Sequence, residues 1–198
     1  TTGMIWTVPD GRLVPIEEWN PLDDSADQED TVDVDDVIEQ EPPVAVPDAF
    51  GVRRGAVVSL PVLLNDHDPN KKDVLTVDPA SLSALSDPSF GQLGLVADDQ
   101  AIVLRVNAAS GSATFSYAVT DGSAVSAPTT VTLTVVPEGQ NSAPVWCGVE
   151  GCLQRWPSPQ VAPGGFASVP VLAGWVDPEG DAVSLAGARA DDPNAPVT

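Results

Sequence analysis

The sequence predicts an all-β protein built around a two-sheet β-sandwich, and three observations carry that prediction. Short runs of Val, Leu, Ile and Thr recur between Pro43 and Val136, each bounded by Gly, Pro, Asp, Asn or Ser. The clearest runs alternate apolar and polar residues with period two, the mark of a strand with one buried and one wet face. No segment carries a 3.6-residue apolar stripe, and 20 Pro with 16 Gly in 198 residues favour turns over long helices. A hydrophobic content of 42% suffices for a core.

Taken in order, Met4–Val8 and Arg12–Ile16 flank Pro9-Asp10-Gly11 and read as a β-hairpin. Two strands alone are marginal in water, and Trp6 and Trp19 need a covering surface. Residues 1–22 therefore read as the tail of a preceding domain. Asp23–Glu41 holds ten carboxylates and no base. Such a run repels itself and cannot bury enough surface to order, so 23–42 reads as an extended acidic linker.

Strands are then expected at Ala56–Val62, Val74–Val77, Leu93–Val96, Ala101–Val106, Thr114–Thr120 and Thr129–Val136. In the last three, Ile102, Leu104 and Val106, then Phe115, Tyr117 and Val119, then Val131, Leu133 and Val135 share a face. Tyr117 is expected in the core, its hydroxyl bonded to nearby backbone.

An internal repeat sets the domain organisation. Leu60-Pro61-Val62-Leu63, Asp68-Pro69 and Asp73 return as Val169-Pro170-Val171-Leu172, Asp177-Pro178 and Asp181. Both copies open alike, with Pro42-Pro43-Val44 against Ala143-Pro144-Val145. Fixed-period recurrence means tandem domains: a complete sandwich over 43–137 and the N-terminal half of a second over 143–198. That half copy is expected to be poorly packed or only locally ordered in isolation.

Formal charge is −21, from 29 acidic and 8 basic residues. A cationic face for nucleic acid or an anionic membrane is not the default reading of such a chain. No apolar run is long enough for a membrane helix. Thr1–Trp6 has neither the charge nor the apolar run of a signal peptide, and the sequence does not open on Met. It reads as a segment of something longer, so compartment is not decided here. Cys147 and Cys152 are the only cysteines, and a small disulfide-closed loop and two free thiols both stand as readings. A zinc site is disfavoured, because the lone His67 is distant in sequence.

Leu60-Pro61-Val62-Leu63-Leu64-Asn65-Asp66-His67-Asp68-Pro69, Val74–Val77, and Ala113–Gly122 leading into Thr129–Val136 resemble the bacterial tandem Ig-like or cadherin-like repeats of large secreted and cell-surface proteins. The resemblance covers 43–137 fully and 143–190 in part, and does not reach 1–42. It implies a Greek-key Ig-like sandwich and a structural or adhesive role outside the bacterial cell. The partners it implies are neighbouring repeats of the same chain and a surface protein or glycan. Some such repeats bind calcium.

In an Ig-type sandwich the loops carrying Asp66, Asp68 and Asp73, then Asp98 and Asp99, then Asp121 gather at one end, where Asp48 also arrives. Crowded carboxylates repel, and Ca²⁺ relieves this while taking about 6–8 oxygen ligands. Asn65 and Asn70 could add amide oxygens. The competing reading is that Asp68-Pro69 and Asp121-Gly122 are turn formers alone. Lys71 and Lys72 stand where the family's loop is usually acidic or glycine. The second copy lacks those lysines, so Asp177, Glu179 and Asp181 form a second calcium candidate.

No catalytic residue is expected. His67 has no Gly-x-Ser-x-Gly elbow to serve, and short loops on a small sandwich do not form the cleft that a carboxylate pair needs. Trp146, Trp156 and Trp175 either fill core space or stack on sugar rings. The chain is thus expected to be a non-enzymatic module, with a ligand-binding module or an accessory domain of a larger exported enzyme as the alternatives.

Overall fold

A computed structural model describes residues 41–70 and 74–190. The expected hairpin over 1–22, residues 23–40 of the acidic linker, Lys71, Lys72, Asp73 and the stretch 191–198 lie outside the described residues.

The strands in chain order are β1 Asp48–Val52, β2 Val57–Leu60, β3 Thr76–Val77, β4 Gly91–Val96, β5 Ala101–Val106, β6 Ser112–Tyr117, β7 Val119–Thr120, β8 Thr129–Val135, β9 Val145–Trp146 and β10 Trp175–Val176. One sheet runs β1-β8-β6, with β3 paired to β7, which continues β6 past Ala118; the facing sheet runs β2-β5-β4. β1 lies parallel to β8 over five residue pairs, Asp48↔Val131 to Val52↔Val135. Every other named pair is antiparallel. This is the Ig-like Greek-key sandwich.

Its core is the expected alternation: Ile102, Leu104 and Val106 meet Phe115, Tyr117, Val119, Val131, Leu133 and Val135, all buried. Phe90 and Leu85 belong to the same buried core.

Three expectations are corrected in detail. β1 was not foreseen, because its inward residues are Asp48, Phe50 and Val52, and an acid on the buried face breaks the apolar alternation. The run Ala56–Val62 ends its strand at Leu60, after which a 3-10 turn over Val62–Leu64 swings the chain. Proline at 61 explains the stop, since it has no N–H for the ladder. The run Thr114–Thr120 breaks at Ala118, whose carbonyl accepts from the Asp78 N–H and whose N–H donates to Ser81 Oγ.

Beyond the sandwich, β9 and β10 form a separate antiparallel pair. Cys147 and Cys152 are bridged, with Cα atoms 5.5 Å apart. Trp146, Trp156 and Trp175 cluster edge to face, with ring centroids 4.7 to 6.4 Å apart. This segment packs on the sandwich: Val176 joins the buried core, Val149 packs against it, and the Leu153 N–H donates to the Leu64 carbonyl at 2.7 Å.

The sequence repeat has a structural counterpart. Val44 bridges His67 in the first copy, and the aligned Val145 pairs with Val176 in the second. Asp68 Oδ1 accepts the Asn70 N–H, and Asp177 Oδ1 likewise accepts the Glu179 N–H. Each copy therefore ties its opening Pro-Val segment to an Asx turn at Asp-Pro.

Candidate functional site

Among the described residues, the acids picked from the sequence do not form one cluster. They divide into three groups, with Asp98 and Asp99 apart from these in the β4–β5 turn.

The first group is internal. The start of β1 brings Asp48 inward, the turn after Leu64 brings Asn65 and Asp66, and the end of β6 brings Tyr117; all four are buried. The Tyr117 hydroxyl lies 2.8 Å from Asp66 Oδ2, 3.1 Å from the Val62 carbonyl and 3.3 Å from Asp48 Oδ2. Asp66 Oδ1 accepts the Val46 N–H at 2.7 Å. Asn65 Nδ2 donates to Asp48 Oδ1 and to the Glu150 carbonyl, both at 3.1 Å.

A hydroxyl has one proton and cannot serve three acceptors. Retention of a proton on one carboxyl resolves the shortage. Burial pushes the Asp48 carboxyl up to about 7, with the charge of Asp66 adding to the effect. Burial pushes Asp66 up to about 6, against the opposing Val46 N–H and Tyr117 hydroxyl. The same burial and the two acids raise Tyr117, which stays neutral. Asp48 and Asp66 are thus fastened into a hydrogen-bond network that pins β1, the turn after the 3-10 segment and β6 together. They are not free ligands.

Asp68 and Asp121 form the second group. Asp121 Oδ1 accepts the N–H groups of Ser123 and Ala124 at 2.6 and 2.7 Å. These bonds, Ala124's first, hold its carboxyl below the usual range, and the Asp68 side chain lies beside it. Oδ2 of Asp68, Oδ2 of Asp121 and the amide oxygen of Asn65 are all screened from water without a hydrogen-bond donor. Unpartnered carboxylate oxygens are the donor chemistry a hard divalent cation takes. Among the described residues no group of three or more His, Cys, Asp or Glu is placed to hold a metal ion, and Asp73 lies outside them. Two carboxylates alone supply fewer oxygens than the about 6–8 that a calcium ion takes.

In the third group every acid is bound to the chain's own donors. Asp177 Oδ1 accepts the Glu179 and Asp181 N–H groups at 3.0 Å. Glu179 accepts the Ser142 N–H and hydroxyl at 2.9 and 2.7 Å, which lowers its pKa. Asp181 pairs with Arg53.

Asp98 and Asp99 sit in the β4–β5 turn, where Ala97, Asp98 and Asp99 all have positive φ, and the Asp99 carbonyl accepts the Val77 N–H. Sequence reasoning overlooked Arg53 and Ser142. The available signal was scarcity: with 8 bases among 29 acids, any inward base had a choice of partners.

Residues 40–134 match the family model of the bacterial Ig domain. The chain is also similar to a solved chimeric titin Z1Z2 functionalized with a KLER exogenous peptide from decorin, at 26% identity over 50% of each chain, with a TM-score of 0.28. The chain thus spans half the length of that structure. No curated protein matches it.

Proposed function

From the premise that residues 40–134 are a bacterial Ig domain, we propose that this chain is a non-catalytic, load-bearing module of an exported cell-surface protein. In this reading it spaces and holds the domains on either side. One observation carries it: β1 and β8, the first and last strands of the sandwich, are parallel neighbours over five pairs. Tension applied where the chain enters β1 and leaves β8 pulls these strands along their length. All the rungs between them must then yield together, whereas an antiparallel hairpin pulled at its open end yields one rung at a time. The Cys147–Cys152 bridge supports an oxidising compartment.

Single-molecule stretching tests the reading. Pulled through its ends, the sandwich is expected to unfold in one event releasing about 300 Å of chain, at ~3.3–3.6 Å per residue. The force should exceed that needed when handles sit at Gln92 and Arg105, the exposed pair at the open end of the β4–β5 hairpin. Equal forces in the two geometries would remove the mechanical role.

We further propose that calcium binds weakly at the Asp68–Asp121 pair, supported by its two unpartnered oxygens, and stiffens that end of the sandwich. A second reading, recognition of a surface glycan or protein, is favoured by Trp156, which is 55% exposed beside a groove shared with Trp175, Leu172 and Leu185. Retention of such a ligand on that face would support recognition over spacing.

A further inference from the structure

Arg53 follows β1 directly, and its guanidinium joins two distant stretches of chain. Nη1 donates to the Pro137 carbonyl and Nη2 to the Gln140 carbonyl, each at 2.6 Å. Nη2 also reaches Asp181 Oδ2 at 2.9 Å, and Nε faces both oxygens of that carboxylate at 3.2 and 3.3 Å. The side chain is 13% exposed.

Its surroundings are built to the same purpose. Glu179, 1% exposed, is held by Ser142. Gly51 and Gly180 meet backbone to backbone: a Cβ on Gly51 would collide with the Pro178 carbonyl, and one on Gly180 would lie 2.6 Å from the Gly51 carbonyl. Val176, one residue before the Asx turn, is part of the buried core.

We propose that Arg53 is a latch that fixes residues 142–183 along the flank of the sandwich, and that its guanidinium does there what a bound cation would do. Two backbone carbonyls and a carboxylate around one positive centre are oxygen donors of the kind a calcium ion gathers. The guanidinium supplies that centre covalently and in a fixed fork, which matches a carboxylate bidentately. The junction is therefore stiff without divalent metal, and the two copies of the repeat move as one body. This stands apart from the calcium proposed at Asp68 and Asp121, and it survives if that site proves empty.

Amide hydrogen exchange tests the latch. Leu153 bonds the Leu64 carbonyl at 2.7 Å, and its N–H reports docking at a distance from Arg53; the Leu104 and Leu133 amides report the sandwich itself. With Asp68→Ala and Asp121→Ala in place, so that no calcium is held near Leu64, exchange at Leu153 should be the same with chelator and with millimolar Ca²⁺. Arg53→Ala should speed it at least several-fold while Leu104 and Leu133 keep their protection. Should Arg53→Ala unfold the sandwich, Asp181→Asn and Arg53→Lys decide: both keep the fold's core and both should speed Leu153 exchange. Unchanged exchange in these variants, or faster exchange on chelation of the chain carrying Asp68→Ala and Asp121→Ala, overturns the proposal.

Discussion

Asp48, Asp66 and Tyr117 show how a polar group earns a place in an apolar core. Each carboxyl is buried and each is hydrogen-bonded, yet the donors are too few for two full charges. The consequence is a pH dependence whose sign follows from the raised values. The folded state holds protons that the unfolded chain releases near pH 4, so stability is full below that value and is lost as pH rises through about 6 and about 7. Asp121, Glu179 and Asp181 are shifted down and act oppositely, only in the acid range. Thermal melts in chelator should therefore show a maximum near pH ~4–5 and a decline toward pH 8. Asp48→Asn, which keeps an acceptor and loses the charge, should flatten that decline and raise the melting temperature at pH 8 by about 5 °C. A melt that climbs steadily from pH 4 to pH 8 would contradict the account. The place of Tyr117 in the core could be read from its alternation with Phe115 and Val119. Its carboxylate partners could not, because they come from segments 51 and 69 positions away.

At the level of elements, the free edge of β6 is closed without a further strand. Ser83 and Ser86 donate their N–H groups to the Ser116 and Thr114 carbonyls. Their hydroxyls then accept the Ser116 and Thr114 N–H groups, at 2.8 and 2.9 Å. Side-chain oxygens thus complete the rungs, and an edge that would otherwise invite another chain is blocked. Replacing both serines by alanine should cost about 1 kcal/mol per lost bond and raise exchange at the Thr114 and Ser116 amides selectively. Protection equal to the unmodified chain would show that the hydroxyls are dispensable. Periodicity located β5, β6 and β8 because each buries one face only. It overlooked β1, whose inward acid is tolerable only once the partners of Asp48 are in place. The serine edge has no period to detect, since it is an irregular segment defined by what it lies beside.

Across the whole molecule, a formal charge of −21 makes cations the natural modulators. Calcium at millimolar concentration should raise the melting temperature by about 3–8 °C if it binds the folded state alone, and Asp68→Ala with Asp121→Ala should abolish the rise. An unchanged melt would take the metal out of the account. The sequence by itself determined the strand-forming alternation, the turns and the recurrence of one motif, because these are local: a residue's face in a strand depends only on its neighbours two positions away. Which acids were bonded inside the sandwich, which were tied to Arg53 or Ser142, and which kept an unpartnered oxygen was decided by the tertiary structure alone. Those outcomes depend on a competition for donors and water among groups that only folding brings within 3 Å or so of one another.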